Sequence, residues 1–437
     1  MLFLKAHSFL TRSLAFSLAL GSLALGQDAA ALRTWTDATG RTVEATFAGL
    51  TNEAVKLQLK DGRTVDYPIA QLSAADQAFA RSAQATPAPL SSSPAQRPPA
   101  SQRSFPDKVE VSARTMERLQ LVSEEPQHRK YVYQTSSFEF TSQDKLAGSV
   151  MTEVARTFEA TRELVSQLPW GIACTPPPPL ERYQAALYET REDYFNNGGP
   201  TNSGGVYDSG DMIFKIPFPS LGLERRGKTW FKNDNYRNDT LVHEITHQMM
   251  HDYLPFLPKW IIEGSAEYTE LMPYNAGVFR VANHKSGIKE YINDMLKRGV
   301  SSNLGSLETH LTMNRSQWDA NSSSSTAQIT LYFRSALLVY FFNHLDGDGK
   351  AERFIRFFDA AHTEVLALQT FFDNPAVKRM PGGRFTYPSD LTPPDMSPDS
   401  APFKHLNLLL GDRSYNDLAT QLVEGYRSLG IKLTASE

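Results

Sequence analysis

The sequence predicts an α+β protein in two folded parts, and three observations carry that expectation. Short alternating runs broken by "ATGR" and "KDGR" mark a small β-barrel-like unit over residues 33–82. A proline-, serine- and alanine-rich stretch over 83–106 reads as an extended linker. Beyond it, over 107–437, strand patterns come first and helical periodicity then takes over.

The N-terminus reads as a secretory signal over residues 1–26. Lys5, His7 and Arg12 give a basic start, and "SLAFSLALGSLAL" (13–25) is an apolar stretch too short to span a bilayer comfortably. Ala24 and Gly26 are the small residues that a cleavage after Gly26 requires. The expected location is therefore outside the cytoplasm (periplasm, cell envelope or secreted), with no transmembrane segment in the mature chain. Hydrophobic residues make up 41% of the 437, which is enough for a real core. The net charge of −4 and the lack of a dense Lys/Arg run argue against nucleic acid as a partner. Cys174 is the single cysteine, so neither an internal disulfide nor a cysteine-built zinc site is available.

In the small unit, Val55, Leu57 and Leu59 alternate with Lys56, Gln58 and Lys60, and Ser73 caps a short helix, "AADQAFARS". The stretches "RTWTDATGR", "EATFAGLT", "AVKLQL" and "LSAAD" together resemble the SH3-like homology domain first named in a yeast actin-patch adaptor. The resemblance covers nearly all of 33–82. It implies a binding module that meets an envelope or surface partner, not a site of chemistry.

The larger part opens on a strand, "SSFEFTS" (136–142), and a long amphipathic helix over about 143–168, with Val150, Val154, Phe158 and Leu164 on its apolar side. "CTPPPPLERYQAALYET" is a break followed by a strand. "NNGGPTNSGG" is a flexible loop, and "GVYDSGDMIFKIP" (205–217) reads as a hairpin. Helices are expected to dominate from there on. "HLDGDGKAE" (344–352) is an inter-helix turn, because Lys350 and an early glycine spoil a calcium loop. Residues 408–433 give a turn and a closing amphipathic helix.

The chemistry concentrates in "NDTLVHEITHQMMHDY" (238–253), which holds three of the ten histidines. Asn238 or Asp239 can cap a helix there, and Pro255 and Pro258 end it. On that helix His243 and His247 lie four apart on one face and can offer imidazole nitrogens to one metal ion. Glu244 sits beside them, where a carboxylate can take a proton from an attacking water. His251 is eight residues from His243, rotated by about 80°, and is read as supporting or surface rather than ligating. After His247 come fifteen residues and then Glu263, in "PKWIIEGSAEY", on a second helix that starts after Pro258. Two histidines and this glutamate form the donor set of a catalytic Zn2+ with one position open. Trp260 is expected to fill the core under the helix pair.

"HEITHQ" followed by "PKWIIEGSAEY" resembles the gluzincin metallopeptidases, in particular the bacterial peptidase-MA-like group. The upstream strand, long helix, Gly-rich loop and edge strand, and the later "YFRSALLVYFF", extend the resemblance over about 130–430. It implies a zincin-like catalytic domain: a small mixed sheet over the active-site helix, then a mostly helical lobe. It implies zinc-dependent hydrolysis of a peptide or protein substrate, with Glu244 as general base. It also implies that Glu267, one turn beyond Glu263, orients His243 from behind, and that Tyr332 stabilises the oxyanion, with Tyr340 and Arg334 as competitors. An edge strand in this family binds extended substrate, which points to Gly205, Val206 and Tyr207 as substrate-binding residues. The aminopeptidase signature G-x-M-E-N is missing, which favours an endopeptidase. Two other readings compete: a non-catalytic envelope protein with a structural metal site, and a zinc amidohydrolase acting on a non-peptide substrate.

Overall fold

Alternation of apolar and polar residues builds the first unit. The structure is a computed structural model that describes residues 32–50, 54–60, 63–73, 75–77, 79–80, 99–112, 119–201, 203–233, 236–380 and 384–435. The signal-like stretch 1–26 and most of the linker lie outside the described residues. Strands β1 (Arg33–Thr36), β2 (Thr42–Leu50), β3 (Ala54–Leu59) and β4 (Thr64–Pro68) form one antiparallel sheet in sequence order. Val55 and Leu57 point inward while Lys56 and Gln58 are exposed, as a two-residue period requires. Trp35 centres the core between Phe47 and Phe79, at ring distances of 6.1 and 5.7 Å. The Ser73 hydroxyl accepts from the Asp76 amide at 3.2 Å, the cap expected of it.

The second unit starts at Pro98. The linker expected over 83–106 is therefore too long at its end: Arg103 donates to Asp359 at 2.8 Å and the Phe105 ring packs, tilted, on that of His344 at 4.7 Å. Two contacts of this kind fix a chain that composition alone leaves free. Strands β6 (Gln120–Glu125), β7 (Lys130–Gln134), β8 (Phe138–Ser142), β9 (Tyr183–Tyr188), β10 (Val206–Asp208) and β11 (Ile213–Pro217) follow β5 (Val109–Glu110) in the chain. They form a six-stranded sheet in the order β10-β11-β9-β8-β7-β6. The β8–β9 and β9–β11 pairs are parallel and the others antiparallel. The helix Gly148–Gln167 lies on this sheet, with Phe158 5.3, 5.0 and 5.2 Å from Phe138, Phe140 and Phe214. Strands β6 and β7 were not expected. β6 is an edge strand exposed along most of its length, so it carries little apolar alternation to read. A hairpin of β12 (Leu223–Arg226) and β13 (Thr229–Lys232) also interrupts the region expected to be helical, with Gly227 at φ 65° in its turn.

One helix runs beside the sheet's β10 edge, and a second packs on that helix. The first is Asp239–Met249, tied upward by the Gln248 amide donating to the Gln184 carbonyl of β9 at 2.9 Å. The second is Lys259–Glu270, with Trp260 fully buried, as expected, and donating to the Leu311 carbonyl at 3.2 Å. A third, Ser325–His344, crosses the second so closely that a Cβ on Gly264 would lie 2.5 Å from the Ser335 carbonyl oxygen. Gly264 is thus required by the crossing itself.

Three histidines away from the ligand candidates pack into this core: His284 and His310 are each 2% exposed and His344 is part-buried, with the rings of Tyr268, Trp318 and Phe105 against them.

 
Burial keeps all three neutral. It pushes His310 down to about 3 and His344 to about 4, and it holds His284 well below the ordinary range, with His344 adding to the effect. An imidazole with a lowered pKa binds its proton more weakly folded than unfolded. Stability is therefore full above pH 6.5 and falls as the pH drops towards the folded values. At pH 5 His310 and His344 each remove about 2 kcal/mol, and His284 acts in the same direction. Melting temperature measured from pH 7.5 to 4.5 is expected to fall steeply below 6.5; a flat profile down to pH 5 would contradict this.

Candidate metal centre

The chain enters the first helix through Asn238. Its side chain does not cap the helix as the sequence suggests; its Oδ1 instead accepts from Lys232 Nζ at 2.9 Å. Asp239 supplies the acid of the first turn. The helix stops at Met249, and His251 already lies in a 3-10 turn, His251–Phe256. Four-residue spacing puts His243 and His247 on one side, with ring centres 4.8 Å apart. The second helix brings in Glu263. Its Oε2 lies 3.4 Å from Nε2 of His243 and 3.4 Å from Nε2 of His247.

These three side chains are 7%, 9% and 5% exposed. Metal–ligand bonds of about 2.0–2.2 Å in a tetrahedron imply ligand separations of about 3.3–3.6 Å. Both measured separations fall in that range, and the donor set of two imidazoles and a carboxylate suits zinc. Burial works against charge on His243 and Glu263. Lys259 and the two histidines nevertheless hold the Glu263 carboxyl well below its usual range, and Glu263 and Glu270 hold His243 well above its own.

Glu244 stands next to this group. Its Oε2 accepts from the backbone N–H of Tyr207 in β10 at 3.0 Å, and burial raises its pKa. The Tyr207 hydroxyl meets His251 Nδ1 at 2.8 Å. The third histidine of the cluster therefore ties the edge strand to the end of the helix.

The residue behind His243 differs from the expectation. Nδ1 of His243 lies 3.1 Å from Glu270 Oε2 and 3.9 Å from Glu267 Oε1, so Glu270 and not Glu267 holds the hydrogen bond. Seven residues along a helix return to within about 20° of the starting direction, whereas four overshoot by about 40°. Glu267 turns instead to the Tyr291 hydroxyl; burial and Glu270 push it up to about 8. A cavity of about 1320 Å³ opens on the Glu270 side, lined also by Asp239, Arg237 and Tyr291. None of His243, Glu244, His247 and Glu263 lines it.

Tyr332 lies against the ligand group, its ring stacked on that of His243 at 6.0 Å and 12°. Burial and then Glu263 raise its pKa, so it stays a neutral donor. Tyr340 packs instead on His284, His344 and Tyr426, and Arg334 donates to the Asn303 carbonyl at 3.4 Å. Of the residues expected to bind substrate, Val206 is half-buried on the sheet edge. Gly205 is buried, and a Cβ there would lie 3.3 Å from the Lys215 carbonyl of β11. Tyr207 is corrected in part: its amide and hydroxyl are already engaged by Glu244 and His251.

Residues 26–87 match the family model of SLA1 homology domain 1 (SHD1), which covers the small β unit. No curated protein matches the chain. Among the described residues, no helix is long and apolar enough to cross a membrane.

The hydrogen-bond geometry sets an order of effects. Removing a carboxylate that orients a ligating histidine typically weakens metal binding about 10–100-fold. Glu270→Ala is expected to show that loss in a chelator competition titration, and Glu267→Ala a smaller one. A larger loss from Glu267→Ala would reverse the assignment.

Proposed function

We propose that the chain is an exported zinc-dependent metallopeptidase, acting as an endopeptidase, with His243, His247 and Glu263 as ligands and Glu244 as general base. The observation that carries this reading is the meeting of two imidazole Nε2 atoms on one oxygen of Glu263, 3.4 Å from each, with the Glu244 carboxylate alongside. A zinc ion bound there supplies Lewis acidity to the peptide carbonyl and to water.

The chain's own groups do the rest. One oxygen of Glu244 is occupied by the Tyr207 amide, which fixes the direction of the carboxylate. A carboxyl with a raised pKa is suited to take a proton from the attacking water and pass it to the leaving amine. The neutral phenol of Tyr332 would donate to the carbonyl oxygen as negative charge builds on it. An extended peptide would run along β10, the edge of the sheet. The SHD1 unit would capture a protein partner and raise the concentration of substrate near the site. Export rests on the N-terminal stretch 1–26.

Metal analysis of purified protein, paired with a peptide-library cleavage screen, tests this reading. One zinc per chain is expected in wild type and in Glu244→Gln, with cleavage in wild type alone. Undiminished turnover in Glu244→Gln, or a chain that takes up no metal, would refute it. For Tyr332→Phe, kcat is expected to fall about 10²–10³-fold with little change in KM. An unchanged kcat would remove Tyr332 from the mechanism.

A further inference from the structure

Lys259 is the first residue of the Glu263 helix and follows Pro258 directly. A cation is out of place there, because a helix N-terminus carries partial positive charge and favours carboxylates. The first turn of this helix holds no acid. Lysine four residues before glutamate is also the weaker of the two i,i+4 orders. Helix stability therefore gives no reason for Lys259. Its ammonium lies 2.9 Å from Oε1 of Glu263, with the lysine side chain 23% exposed and the glutamate side chain 6%. The other oxygen, Oε2, lies 3.4 Å from Nε2 of both histidines. The two oxygens of one carboxylate thus face different partners.

We propose that Lys259 restricts Glu263 to a single ligating oxygen, keeping Oε1 on its ammonium and leaving Oε2 for the metal. This rests on the metal-centre reading above. A carboxylate that is free to turn can offer both oxygens and fill an additional coordination position. One that is pinned by an ammonium offers a single oxygen, and a position stays open for water and substrate. The arrangement has a cost, since an ammonium near a divalent cation repels it. Lys259 thus gives up metal affinity in exchange for an open coordination position. It is a positioning residue, acting through Glu263.

The test uses Co2+ as the probe on the full-length, metal-free protein. Visible absorption reports coordination number, being intense for four-coordinate cobalt and weaker for five, and chelator competition gives affinity. Wild type and Lys259→Arg are expected to give intense bands. Lys259→Met should give weaker bands and bind about tenfold or more tightly, because the repulsion is gone and both carboxylate oxygens are free. Lys259→Gln can still donate to Oε1 without a charge, so it should keep the intense bands and also bind more tightly. If Lys259→Met does not fold, the affinity of Lys259→Gln decides alone. Wild-type spectra and affinities in both neutral variants, or weaker binding in both, would overturn the inference while leaving the metal centre intact. Wild type that takes up no cobalt would overturn the metal-centre reading and this inference with it.

Discussion

A buried carboxylate that must stay charged governs the centre of the second unit. Glu263 is 5% exposed, and burying an uncompensated carboxylate costs several kcal/mol. Its compensation comes from three sides: the Lys259 ammonium on one oxygen, and the imidazoles of His243 and His247 on the other. Those imidazoles belong to one face of a separate helix, so their contacts with Glu263 tie the two helices together. His243 is held in turn from behind by Glu270. Removing Glu263 takes away the acceptor that Lys259, His243 and His247 share, and truncating one side of a buried charged cluster costs more than the cluster itself contributes.

Packing supplies the rigidity that such a cluster needs. Gly264 lets the Ser325–His344 helix approach the Glu263 helix, and that approach carries Tyr332 onto the His243 ring. The opposite wall is the sheet edge. There Tyr207 makes two separate bonds, through its amide to Glu244 on the first helix and through its hydroxyl to His251 in the turn that follows it. Glu244 and the edge strand are therefore fixed relative to one another by two part-buried hydrogen bonds.

Legibility in the sequence followed the range of the interactions. His243, Glu244 and His247 were readable because a helix makes their spacing a statement about one face. Glu263 was readable because Pro258 starts a second helix with a clear pattern. The β10–β11 hairpin was readable from its alternation and turn. Glu270 was misjudged in favour of Glu267, because the choice depends on how two helices cross and on Tyr291, which comes from elsewhere in the chain. The pairing of Tyr207 with His251 joins residues 44 apart and leaves no local trace. Lys259 could have been noticed as a cation at a helix start, but its partner became evident only with the carboxylate's two oxygens resolved. Strand β6 escaped because an exposed edge strand needs little apolar alternation, and β7 because Tyr131, Val132 and Tyr133 are buried in a row and so show no alternation.

The central claim is that His243 Nε2, His247 Nε2 and Glu263 Oε2 bind one metal ion. A second grouping, His243 with Glu267 and Glu270, also brings three donor atoms within 4.8 Å of one another. Anomalous diffraction at the zinc edge, on crystals of the full-length protein grown with stoichiometric zinc, separates the two. The account requires one peak, bonded to Nε2 of both histidines and to Glu263. A peak on the Nδ1 side of His243, between Glu267 and Glu270, would contradict it.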